Sequence, residues 1–233
     1  MIHRALGACD YDEALRLQQA VHAARLRGDG EDTLFTLEHS PGLLTGGRRA
    51  LDSNLLADPA EMDRAGVQRR RVERGGDWTW HGPGQLVAYP ILRLADWGLD
   101  VPSFVAGLES AMAALASEAL GALDLGVIGR RSGYPGLWID GPGGLMKLGA
   151  VGVHVRRFVT LHGLALNLDP RPWGFDFIRP CGLSEPVTSL ARLLEGVGAD
   201  PAGLPSIAAA GERLVELLPR AWRGELEDAP TVG

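Results

Sequence analysis

Val151-Gly152-Val153-His154-Val155-Arg156-Arg157-Phe158, with the return run from Phe158 to Leu166, decides the fold. Val151, Val153 and Val155 alternate with Gly152 and His154, so the branched side chains fall on one face of a strand. Arg156-Arg157 makes a tight turn. The pattern is a β-hairpin, although it lacks the Asn-Gly pair that two-residue hairpin turns favour. Hairpin-joined strands argue against a doubly wound parallel sheet, whose strands need long crossovers.

Outward from the hairpin, Leu137-Trp138-Ile139 reads as a short strand before a Gly-Pro turn. Ser103 to Leu120, rich in Ala and Leu, predicts a helix. Leu86 to Leu92 predicts a buried strand, with Pro90 implying an edge or a bulge. Leu34-Phe35-Thr36-Leu37 is a further strand. Asp10 and Glu13 form a variant capping box ahead of Ala14, Leu17, Val21 and Ala24 at helical spacing, with Gly28 as the stop. Two C-terminal helices are expected, Pro186–Leu194 and Ser206–Arg220. Glu225 to Gly233 reads as a flexible tail. No internal repeat or linker interrupts the chain. The expectation is one α/β domain of the α+β type over residues 1–233, its motif-bearing core at about residues 30–200. Its sheet should be mixed, largely antiparallel and flanked by helices.

Composition narrows the class. Hydrophobic residues make up 45% of the 233 and charged residues 22%, an ordinary globular balance. Charges interrupt every apolar run before membrane-spanning length, and Met1-Ile2-His3-Arg4 opens no signal region. Two cysteines cannot build a disulfide framework, which points to a cytoplasmic setting. No Cys or His cluster has zinc spacing, so no metal is expected. A net charge of −6 speaks against nucleic acid as a partner. Arginines are clustered nonetheless, at Arg69-Arg70-Arg71, Arg74 and Arg48-Arg49. They read as solvated charges or as a face for an acidic partner.

Three segments combine unusual residues. Arg74-Gly75-Gly76-Asp77-Trp78-Thr79-Trp80-His81-Gly82-Pro83-Gly84-Gln85 is a rigid, irregular loop whose N–H groups could hold substrate oxygens. It is neither a P-loop nor a dinucleotide fingerprint. Lys147, in Gly144-Leu145-Met146-Lys147-Leu148-Gly149, is the only lysine in the chain. An arginine stays protonated near neutrality, whereas a desolvated lysine can lose its proton, so the exception favours proton transfer over a chance surface residue. His162 opens His162-Gly163-Leu164-Ala165-Leu166-Asn167, small and apolar enough to line a slot. Cys181, in Arg179-Pro180-Cys181-Gly182, sits on a bend where a nucleophile could be presented. The alternative is a buried thiol acting as a small hydrophobe.

Together these segments resemble the lipoyl(octanoyl) transferase family. The family's Arg-Gly-Gly…Thr-aromatic-His-Gly-Pro-Gly-Gln loop, Lys-Leu/Ile-small-small segment, His-Gly-Leu-Ala-Leu-Asn strand and Pro-Cys-Gly all occur in order. They run from Arg74 to Cys181. Trp80 departs from the family, which usually has tyrosine there.

The resemblance implies a biotin/lipoate protein ligase-like fold and an octanoyl-[acyl-carrier-protein]:protein N-octanoyltransferase. Cys181 and Lys147 would be catalytic. Substrate-binding stretches would be Arg74, Gly75, Gly76, Asp77, Trp78, Thr79, Trp80 and His81, then Ala150, Val151 and Gly152, then Gly163, Leu164 and Ala165, with His162 in support. The octanoyl group would arrive on the phosphopantetheine of acyl carrier protein. It would leave on lipoyl domains of 2-oxoacid dehydrogenases or on glycine cleavage H protein, with neither ATP nor metal. Neither nucleic acid nor membrane would take part. An oxyanion donor could be an N–H near Gly182 or one in Gly149–Gly152. An ATP-dependent lipoate–protein ligase is the nearest rival, followed by a cysteine hydrolase and a non-enzymatic acyl-binding module.

Overall fold

A computed structural model describes residues 1–171, 173–179 and 185–233. The main sheet has five strands: β1 (Ile2–Cys9), β2 (Thr33–His39), β6 (Gln85–Ile91), β10 (Gly149–Arg156) and β11 (Val159–Asn167). Their spatial order is β1-β2-β6-β11-β10, and every pairing except parallel β1–β2 is antiparallel. A second sheet orders β4 (Gln68–Arg71), β3 (Leu43–Gly46) and β5 (Trp78–His81). A third is the meander β7 (Val127–Arg131), β8 (Tyr134–Gly141) and β9 (Gly144–Lys147). The expected mixed, largely antiparallel architecture is therefore present.

Side-chain alternation on the main sheet feeds two cores. Leu34, Leu86, Ala88, Leu164 and Leu166 face α3 (Val101–Leu120) and α5 (Ile207–Trp222), packing with Phe104, Leu108, Met112, Leu214 and Leu218. Phe35, Leu37, Val87, Tyr89 and Ile91 join Ala14 and Leu17 of α1 (Tyr11–Arg27) on the other face. Asp10 caps α1 through the N–H groups of Asp12 and Glu13, and left-handed Gly28 closes it. The helix α2 (Pro59–Arg64) carries the reciprocal capping box, between Asp58 and Glu61.

Several boundaries differ from the sequence reading. The hairpin turn is Arg157-Phe158, both with positive φ (48° and 63°), and Arg156 pairs with Val159. Pro90 lies in a central strand rather than at an edge or bulge. It pairs with Leu34 on β2, while the β6–β11 ladder ends at Ala88. Its carbonyl accepts the Thr160 hydroxyl at 2.6 Å, so the missing N–H falls beyond that ladder. The helix expected from Pro186 starts later: α4 spans Leu190–Gly196, capped by Ser189. Residues 186–188 run extended because Lys147 N–H donates to Pro186 O (2.9 Å) and Thr188 N–H to Lys147 O (2.8 Å). The terminal residues, expected to fray, instead join the third sheet. Arg130 N–H donates to Pro230 O at 2.8 Å and Val232 N–H to Arg130 O at 2.9 Å, and Ala229 and Val232 are buried.

Candidate active site

The loop from Arg74 to His81, the strands β10 and β11 and the end of β9 enclose a cavity of about 890 Å³, within the usual range of small-molecule sites. Arg74 anchors the loop. Its buried guanidinium donates to Thr45 O (2.6 Å), Thr45 Oγ1 (2.8 Å), Asp77 O (3.0 Å) and Gly75 O (2.8 Å). Asp77 turns its carboxylate inward to the N–H groups of Leu51 and Trp78 and to the Asn54 amide. Gly75 N–H donates to Val153 O at 3.0 Å, which docks the loop on β10. Gly152 makes that docking possible, since a Cβ there would stand 2.9 Å from Arg74 Cδ.

Lys147 ends β9 and is 7% exposed. Its Nζ donates to Pro135 O at 3.3 Å and lies 5.1 Å from the centre of the Trp138 ring. Pro135 is held in turn by Glu109 on α3, whose carboxylate accepts Gly136 N–H at 2.8 Å. Burial raises the Glu109 pKa, against the lowering effects of that N–H, Arg130 and Lys147.

His162 has φ +63° inside a strand, a rare geometry for a residue with a Cβ. Its N–H leaves the sheet to donate to Gln18 Oε1 on α1 at 3.0 Å, and its ring lines the cavity. Gly163 follows because its Cβ would fall 2.2 Å from Ala88 O. Burial, with Arg74 nearby, holds His162 down to about 3. Burial likewise pushes His39 down to about 4. His39 Nδ1 donates to Cys9 O at 3.1 Å, so its Nε2 must accept the Tyr89 hydroxyl at 2.8 Å. The cluster is uncharged at neutral pH and suits an apolar guest.

The predicted residues converge. Arg74, Gly75, Gly76, Asp77, Trp78, Thr79, His81, Lys147, Ala150, Val151, Gly152, His162, Gly163, Leu164 and Ala165 all line the cavity. Trp80 does not. Its indole packs among Leu44, Phe175 and Ile178, against Gly42 and Gly174, and its Nε1 finds no acceptor among the described residues. Cys181 lies outside the described residues. Sequence reasoning assigned no role to Tyr11, Asn54, Tyr89 and Tyr134, which also line the cavity. For Tyr89, a hydroxyl inside a buried apolar strand was the available signal. Of the predicted basic face, Arg69, Arg70 and Arg71 are paired with Asp63, Asp12 and Asp52. Only Arg48 and Arg49 stand exposed at the cavity without an ion pair among the described residues. Among those residues no group of three His, Cys, Asp or Glu could hold a metal ion, and no helix is long and apolar enough to cross a membrane.

A mixed, largely antiparallel sheet flanked by helices, with a cavity lined by buried histidines and one buried lysine, has the fold of lipoate and biotin protein ligases. The chain belongs to the lipoyl protein ligase A/B catalytic domain family, which it matches over residues 10–205. It is 42% identical over 224 residues to an octanoyltransferase of Solibacter usitatus, covering 96% of this chain and 93% of that one. Among solved structures it resembles Plasmodium falciparum LipL1 bound to lipoate, with a TM-score of 0.65 at 10% identity. That likeness covers 99% of this chain but 65% of LipL1. Biotin protein ligase from Leishmania major follows, with a TM-score of 0.56 at 12% identity over 96% of this chain and 75% of that one. These two likenesses concern the fold.

Proposed function

We propose that this chain transfers an octanoyl group from octanoyl-acyl carrier protein to a specific lysine of lipoyl domains, through a thioester on Cys181. The observation that carries the reading is the placement of Lys147. The chain's only lysine is buried at the cavity that the Arg74–His81 loop encloses. Its backbone bonds to Pro186 and Thr188, just after the Pro-Cys-Gly segment. On the other side of that segment, Arg179 N–H donates to Asn54 O at 2.7 Å, and Asn54 lines the same cavity. Both described flanks of Cys181 are thus tied to the site.

In the first step the Cys181 thiolate attacks the thioester carbonyl. The Sγ–C bond forms, the C–S bond to pantetheine breaks, and the Lys147 ammonium protonates the departing thiolate. In the second step the acceptor amine attacks the acyl carbon. The N–C bond forms, Sγ–C breaks, and neutral Lys147 takes the proton from the amine nitrogen. Thiolate and ammonium are restored. The acyl carbon enters already activated, so neither ATP nor a metal is required. Burying six methylenes at about 0.8 kcal/mol each contributes at most roughly 5 kcal/mol. One methylene more or less changes this by about 1–3 kcal/mol, enough for preference without exclusivity. The acceptors are lipoyl domains of 2-oxoacid dehydrogenases and glycine cleavage H protein, met in the cytoplasm.

Intact-protein mass spectrometry after mixing with octanoyl-acyl carrier protein, without ATP, tests this. An octanoyl adduct that requires Cys181 and disappears on adding apo-lipoyl domain is expected. Acceptor modification only with ATP and free octanoate would overturn it in favour of a ligase.

A further inference from the structure

Two backbone carbonyls fix the proton on His81. Trp80 O is an acceptor only, so the Gln85 side-chain atom 3.1 Å away must be its amide nitrogen. Thr188 O, also an acceptor only, identifies the Asn167 atom at 2.9 Å as Nδ2. Asn167 Oδ1 therefore faces Gln85 Nε2 and accepts from it at 2.8 Å. Both amide hydrogens of Gln85 are spent, leaving Oε1 toward His81 Nδ1 at 2.7 Å. An amide oxygen can only accept, so Nδ1 carries the hydrogen. Nε2 is then a bare lone pair. It has no partner among the described residues and is open to the cavity that His81 lines. The other end of the chain reaches the lysine, because Thr188 N–H donates to Lys147 O at 2.8 Å.

Building on the transfer reading above, we propose that Gln85 and Asn167 are positioning residues that lock His81 as its Nδ1–H tautomer. In that form its Nε2 accepts an N–H of the attacking lysine amine. Of the substrate groups that meet at the reacting carbon, the thioester and alkyl chain offer no donor, and only the amine does. His81 orients the nucleophile and takes no proton, which passes to Lys147. Neutrality of the ring is maintained by burial, by His39 on β2, by Arg74 in the loop and by His162 on β11, all of which lower its pKa against the raising bond to Gln85. An imidazolium would present a donor to an ammonium and repel it.

The tautomer is read directly in histidine-labelled wild-type enzyme by long-range ¹H–¹⁵N correlation, with His81 assigned by its loss in His81→Gln. A protonated Nδ1 and bare Nε2 are expected; the opposite tautomer would overturn the lock. Asn167→Ala frees the Gln85 amide to turn and should mix the tautomers. Asn167→Asp gives up the bond to Thr188 O but keeps an oxygen that accepts from Gln85, and should preserve the Nδ1–H form. Gln85→Glu puts a carboxylate beside Nδ1, raises the His81 pKa and turns Nε2 into a donor. Single-turnover kinetics of this variant should then lose at least about ten-fold more in aminolysis of the octanoyl-enzyme than in its formation, the strength of one hydrogen bond to a reacting group. The excess loss should shrink as pH rises above the new histidine pKa. Equal losses in both half-reactions, independent of pH, would overturn the amine's place at His81. A wild type that forms no octanoyl-enzyme would overturn the transfer reading and the amine's part with it, while the spectrum alone still decides the tautomer.

Discussion

Lys147 shows how far a single residue can be read before a fold is known. Its uniqueness among arginines marked it, and burial at the cavity wall accords with that signal. Charge alone is not what the site needs. Lys147→Arg keeps a cation but cannot release a proton near neutrality. Turnover should fall by about 10²–10⁴-fold, the usual value of a positioned acid–base group. Far-ultraviolet circular dichroism should stay unchanged. Near-normal turnover in that variant would remove Lys147 from proton transfer. Trp80 is the counter-example at the same scale. Its place in the Arg74–His81 motif suggested substrate contact, yet alternation along β5 turns it into the small core with Leu44 and Phe175. Motif membership located the loop but could not say which face each residue takes.

At the scale of elements, the Val151–Leu166 hairpin was legible because period-two alternation depends only on local geometry. Its turn was misplaced by one residue. Arg157 and Phe158 hold positive φ without glycine or asparagine, so turn chemistry gave no cue. The start of α4 was misjudged for a long-range reason, since pairing of residues 186–188 with Lys147 competes with helix formation. Gly163 marks where sheet packing meets the cavity. A methyl there would lie 2.2 Å from the Ala88 carbonyl of a central strand that cannot yield cheaply. Gly163→Ala should therefore destabilise by about 1–3 kcal/mol, the usual cost of overpacking. Urea unfolding checks it, and an unchanged midpoint would show that β6 and β11 separate more easily than their packing implies. Gly152→Ala strikes the flexible stem of Arg74 instead, at 2.9 Å. It also meets the Gly75 carbonyl at 3.2 Å, so it should loosen the loop that Arg74 anchors and raise KM for the octanoyl donor.

The whole chain carries a net charge of −6, while the histidine cluster inside is uncharged at neutral pH. The exposed pair Arg48 and Arg49 is pinned to the loop by Arg48 N–H to Arg74 O and Arg49 N–H to Gly76 O, both 3.0 Å. In the proposed reaction an acidic carrier protein would find these two exposed cations at the cavity. Reversing both to glutamate should raise KM for the carrier protein and remove its salt dependence, whereas reversing Arg69, already paired with Asp63, should do neither. The interior sets a different limit. His39, His81 and His162 all titrate below the ordinary histidine value of 6.5, His39 at about 4 and His162 at about 3. In the unfolded chain each binds a proton near pH 6.5, about the value for a free histidine. Below that point the unfolded state holds more protons than the folded one, so acid favours unfolding. The stabilisation is complete above the unfolded pKa and is lost as pH falls toward the folded values, by roughly 1.4 kcal/mol per unit for each group. Urea midpoints should therefore be flat from pH 8 to about 7 and drop steeply from pH 6.5 toward 5. His39→Gln, which removes one titrating ring, should make that drop shallower even if it lowers the midpoint at pH 8. A drop of unchanged steepness would place the acid sensitivity in groups other than His39.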